Sequence, residues 1–135
     1  MRHVHTAKTE TIGSRENGFA RSSDGVLDIR LSNPDCNRPG ANPEQLVAIA
    51  WSASFASSLK HVADLRQIKL RSDVKIYANV HLSSDDHGYV VGVCLDIALP
   101  GLDRETAFIL IEAARLECPY CRATRGNIQA FYNLV

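Results

Sequence analysis

The chain has no surplus of charge: fifteen basic residues balance fifteen acidic ones over 135 residues. No summed field would therefore draw nucleic acid or an anionic membrane, and neither is expected as a partner. Long hydrophobic runs are missing too. The longest charge-free stretch, Gln45 to Leu59, has fifteen residues, against the roughly 20 that span a bilayer. The N-terminal MRHVHTAKTETIG has no apolar core of the kind a secretory signal carries, so a cytoplasmic location is the expectation. There the four cysteines, Cys36, Cys94, Cys118 and Cys121, would rest as thiols. Internal repeats, low-complexity tracts and linkers are also absent, and the length suits a single domain spanning 1–135.

What is present reads as strands and two helices. VLDIRL, 26–31, alternates Leu27, Ile29 and Leu31 with polar residues, as a half-buried strand does. After a loop rich in Pro, Gly and Asn, the segment ANPEQL starts a helix. Asn42 can cap it, Pro43 fits its first position, and Gln45 completes a capping box. Apolar and small residues cover this helix on every side, so it belongs in the middle of something. One sheet covers only one side of a helix, which makes a second copy of the chain the expected cover for the other.

VKIYANVHL and YVVGVCLDIAL follow, with Val74, Ile76, Ala78, Val80 and Leu82 on one face of the first and Tyr89, Val91, Val93, Leu95 and Ile97 on one face of the second. The polar SSDDHG between them predicts a hairpin. A second helix begins after Asp103, a good N-cap, and carries Ala107, Ile111, Ala114 and Cys118 on a stripe. NIQAFYNLV reads as a last strand. The class is α+β, with mainly antiparallel sheets around a long apolar helix.

The conspicuous motif is Cys118-Pro119-Tyr120-Cys121. Glutaredoxin-like proteins carry CPYC between a first strand and the start of a helix, where the dipole favours a thiolate. Here Cys118 ends a helix, and only fourteen residues follow Cys121, too few for the rest of that fold. A zinc half-site needs a second ligand pair at comparable spacing. None exists, because Cys36 and Cys94 are isolated and His3 with His5 is only an alternating pair near the N-terminus. His61, His81 and His87 read as solvated polar positions. No bound metal or cofactor is expected.

Three blocks carry a resemblance over nearly the whole chain: SSDGVLDIRLS, ANPEQLVAIAWSASF and LPGLDRETAFILIEAARLECPYCRATRGNI. In them the chain resembles the organic hydroperoxide resistance (Ohr) branch of the OsmC/Ohr family. The resemblance implies an OsmC-like fold, an intertwined homodimer with its sites at the interface, and thiol-dependent reduction of organic and fatty-acid hydroperoxides. It further implies a peroxidatic cysteine in the central helix and a resolving cysteine, with a lipoylated protein as the reducing partner. An arginine held by a glutamate would activate the thiolate. Carried over by position, the glutamate is Glu44 and the resolving cysteine Cys118. The arginine is Arg15, in GSRENG, if one extra residue is allowed in that turn, and Arg21 if not. Plainer readings exist for both groups: Glu44 as a first-turn acid favoured by the helix dipole, Arg15 as a solvated loop charge. Trp51 and Phe55 would line the substrate pocket, and Cys121 stands where the family more often has a polar residue.

The peroxidatic position departs from this pattern. It falls immediately before Phe55, and the residue there is Ser54. A hydroxyl does not ionise appreciably near neutral pH and cannot become a sulfenic acid, so the chain as written is expected to be inactive through that position. Ser54 is either an introduced replacement or a natural change. In the second case the protein has become a binder of an apolar or oxidised acyl ligand, or its redox work has moved to Cys118 and Cys121. Glu44 and Ser54 are ten residues apart, about 15 Å along a helix. No side chain bridges that distance, so Glu44 and its arginine are expected to serve the site of a partner subunit.

Overall fold

The computed structural model describes residues 1–135. They form two compact units, 1–46 and 47–135.

In the first unit, β1 (Thr9–Ile12), β2 (Phe19–Ser22) and β3 (Asp28–Arg30) make an antiparallel sheet in that order. The β1–β2 connection is GSRENG. Gly13 sits at φ 86°, a conformation that costs an L side chain energy. At the other end, a Cβ on Gly18 would lie 2.6 Å from the carbonyl oxygens of Ile12 and Ser14. Only glycine lets the Gly18 N–H reach Ser14 O at 2.7 Å, and that closure sets out Arg15 at the tip. The expected 26–31 strand is shorter than its pattern: Leu27 is exposed, and Leu31 is buried in an isolated bridge to Ala41. The capping box is present as read, with Gln45 N–H donating to Asn42 Oδ1 and Asn42 N–H to Gln45 Oε1, both at 2.9 Å. It opens α1 (Pro43–Leu65).

The second unit packs helices on one face of a three-stranded sheet. β4 (Lys75–Asp85) and β5 (Gly88–Ala98) pair along their whole length, so that only Asp86 and His87 remain for the turn. α2 (Arg104–Glu117), α3 (Pro119–Thr124) and β6 (Gln129–Leu134) follow. β6 lies on the free edge of β5 and runs parallel to it, while the other strand pairs are antiparallel, as the mainly antiparallel class expects. The cause is the connection: a chain that crosses back over the sheet through helices returns parallel.

The core is built from one face each of α1, β5 and α2. α1 supplies Trp51, Phe55, Leu59 and Val62, β5 supplies Val93, Leu95 and Ile97, and α2 supplies Ala107, Leu110, Ile111 and Ala114. Cys118 closes the α2 stripe, fully buried. The opposite side of α1 stays open, with Val47, Ile49, Ala53 and Ser57 exposed. No helix is long and apolar enough to cross a membrane.

Candidate active site

The path from α2 into α3 turns at Cys118. That residue is the C-cap of α2, where its N–H donates to Ala114 O, and it is also the N-cap of α3, with Pro119 at the first helical position. Sequence reasoning found the first helix end and missed the second, because a six-residue helix leaves almost no periodic signal. Arg122 N–H donates to Cys118 O at 3.0 Å and closes the turn.

Cys118 faces two ways from this corner. Toward α1, its Sγ lies 4.0 Å from Ser54 Oγ, the outer limit of a sulfur hydrogen bond. Toward α3 it interacts with the Cys121 thiol. Cys121 is 5% exposed and lies 3.0 Å from the Tyr132 hydroxyl. Burial pushes the Cys121 thiol up to about 11, a rise that the Tyr132 bond partly offsets. Burial is also the first cause raising the Tyr132 phenol above its ordinary range, with the Cys121 bond adding to it. Tyr132 stacks on Phe55 with centroids 5.2 Å apart, and the Arg115 guanidinium lies 4.8 Å above its ring. The alternation of β6 pointed Tyr132 inward, but nothing in the sequence named its partner.

Trp51 and Phe55, expected on a pocket wall, are fully buried in the core beside these thiols. Trp51 stacks on Tyr120 at 6.1 Å. Its indole N–H is buried next to Cys121 and Tyr132, where it favours the anionic form of each.

In the first unit, Arg15 meets Glu44. Arg15 Nη2 donates to Oε1 at 2.6 Å and Nη1 to Oε2 at 3.4 Å. This hydrogen-bonded guanidinium is the main cause holding the Glu44 carboxyl below the usual carboxylate range, against the opposing pull of burial. Arg21, the other arginine considered, instead reaches Asp28 at 3.3 Å, both side chains being well exposed. Of the remaining groups, His61 meets Glu117 at 2.6 Å. Cys94 lies in a cluster with Asp96 and Asn133 on the outer face of the sheet. Cys36 sits in the loop beside Asp35.

The site is thus a thiol beside a hydroxyl, with a second thiol one turn on, set in apolar surroundings on an α+β scaffold. The family model for OsmC-like protein matches residues 34–131. The organic hydroperoxide resistance protein OhrB of Bacillus subtilis is 39% identical over 128 residues, covering 93% of each chain. An organic hydroperoxide resistance protein of Xanthomonas axonopodis pv. citri is 38% identical over 135 residues, covering 97% of this chain and 94% of its own. The crystal structure of B. subtilis OhrB superposes with a TM-score of 0.91 over 97% of this chain and 98% of that one. The chain belongs to the OsmC-like family, on its organic hydroperoxide resistance branch.

Proposed function

We propose that the chain carries the site of a thiol peroxidase for organic and fatty-acid hydroperoxides, in which residue 54 is the point of attack and Cys118 the resolving thiol. The observation that supports this reading is the facing pair, Ser54 Oγ and Cys118 Sγ, at 4.0 Å. A sulfur at position 54 would take an oxygen from the hydroperoxide and release an alcohol. Cys118 would then displace water from the sulfenic acid and close a disulfide, which an external dithiol such as a lipoylated protein reopens. Ser54 interrupts the sequence at its first step, since oxygen has no sulfenic state. The Arg15–Glu44 pair is the activating cation with its anchor, acting in a homodimer on the site of the partner subunit.

The test is Ser54→Cys. With cumene hydroperoxide it is expected to form one disulfide per chain, joining position 54 to Cys118, and to turn over with dihydrolipoamide. A variant that folds as the parent does but forms no such disulfide and shows no turnover refutes the reading.

A further inference from the structure

Cys121 has no task in that cycle, yet its surroundings are built. Ser54 Oγ, Cys118 Sγ, Cys121 Sγ and Tyr132 Oη form a continuous row of neighbours. The turn closed by Arg122 N–H and Cys118 O sets residues 118 and 121 three apart across one helical turn, whose pitch is about 5.4 Å. Their Cα atoms are then inside the limit of about 7 Å beyond which a disulfide needs backbone movement. Beside the row lies the buried Trp51 N–H, which favours the anionic form of both Cys121 and Tyr132.

We propose that the redox pair has moved one place along this row: Cys118 is the thiol oxidised by an organic hydroperoxide, and Cys121 resolves it, giving an internal Cys118–Cys121 disulfide that an external dithiol reduces. This rests on the reading that the hydroperoxide reaches residue 54. The Cys118 sulfur attacks the peroxide and the O–O bond breaks. The alkoxide leaves as alcohol with the thiol proton, and Cys118 becomes a sulfenic acid. The Cys121 sulfur then attacks the Cys118 sulfur, the S–O bond breaks, and the departing hydroxide takes the Cys121 proton to become water. Two electrons have passed from the two sulfurs to the peroxide, and the external dithiol returns two electrons with two protons. The reductant has its own approach, because Cys121 and Tyr132 line a recess of about 180 Å³ with Thr124 and Gly126.

The experiment uses the unmodified chain. It is treated with one equivalent of cumene hydroperoxide, alkylated in denaturant and cleaved after arginine. Arg115 and Arg122 release residues 116–122, which hold both cysteines. The expected peptide is unalkylated and lighter by two hydrogens, and it regains two alkyl groups when dihydrolipoamide precedes alkylation. Cys121→Ser is expected to accumulate a sulfenic acid at Cys118 that dimedone captures. A peptide with two alkyl groups after oxidation, or a disulfide to Cys36, Cys94 or another chain, overturns the proposal whether or not the variant folds. Ser54→Cys separates the two readings. A disulfide from position 54 to Cys118, with an unoxidised 116–122 peptide in the parent, leaves the proposed function standing and removes this inference. Closure of 118 to 121 in the parent, with none from position 54 in the variant, does the reverse.

Discussion

Glu44→Gln isolates what the Arg15 pair contributes, since it removes the charge and keeps the shape. The two bonds, at 2.6 and 3.4 Å, join side chains that are 30% and 16% exposed. Two unit charges at about 4 Å interact by ~4 kcal/mol at an effective dielectric of 20, and desolvation and side-chain ordering offset most of that. Exposed pairs are worth up to ~1 kcal/mol, while breaking a buried one costs ~3–5. A half-buried bidentate pair should fall between, at about 1–2 kcal/mol. In a domain of this size that is a drop in melting temperature of roughly 3–7 °C, measured at one protein concentration because a dimer's midpoint depends on it. Asp28→Asn is the control. It breaks a pair whose side chains are both 63% exposed, and its cost should stay below ~0.5 kcal/mol. The pH dependence gives the sign. Because Arg15 holds the Glu44 carboxyl below its ordinary value of 4.5, the stabilisation is complete above about 4.5 and is lost as pH falls through the lower, folded-state value. The gap between parent and Glu44→Gln must therefore narrow on acidification. Equal melting temperatures for parent and Glu44→Gln at neutral pH, or a gap that widens in acid, would refute the assignment of Arg15 over Arg21 as the anchored arginine.

Two further outcomes follow from burial. Alkylation of Cys121 by iodoacetamide in the folded chain should rise only as pH passes from 9 toward 11, and Tyr132→Phe, which loses the bond that favours the thiolate, should move that rise higher still; rapid Cys121 alkylation at neutral pH would contradict the burial argument. Ile49, 66% exposed on the open side of α1, should lie in the homodimer interface, so the parent should run as a dimer at micromolar concentration and Ile49→Lys should shift it toward monomer. A monomeric mass for the parent sinks the dimer proposal.

α2 was legible because two independent signals agree. Its stripe of Ala107, Ile111, Ala114 and Cys118 is buried throughout, and Asp103 caps it by accepting from Thr106 N–H at 3.0 Å. α1 was legible from its capping box and its length. β1 and β2 were not. TETI is exposed along its whole length and FARS buries only alternate residues in part, so neither carries a core-facing pattern that a sequence could advertise. The direction of β6 was hidden for a different reason. Alternation at Ala130, Tyr132 and Leu134 assigns a face, but period two is the same read forward or backward, and only the length of the crossover after β5 bears on direction.

The site divides in the same way between what a sequence shows and what it hides. The corner at Cys118 could be anticipated as the end of the α2 stripe, but the short helix after it turns Cys121 back into the core, and six residues cannot announce that. The consequence is chemical as well as geometric. Cys118 is fully buried while Ser54, its neighbour at 4.0 Å, is partly exposed, so the hydroxyl is the more accessible of the two. The hydroxyl cannot be oxidised to a sulfenic acid, and the next group in line is a thiol that already has another thiol beside it. With a hydroxyl at position 54, either a disulfide forms across one helical turn within the buried pair or these thiols take no part in redox chemistry, and the mass of a single seven-residue peptide tells which.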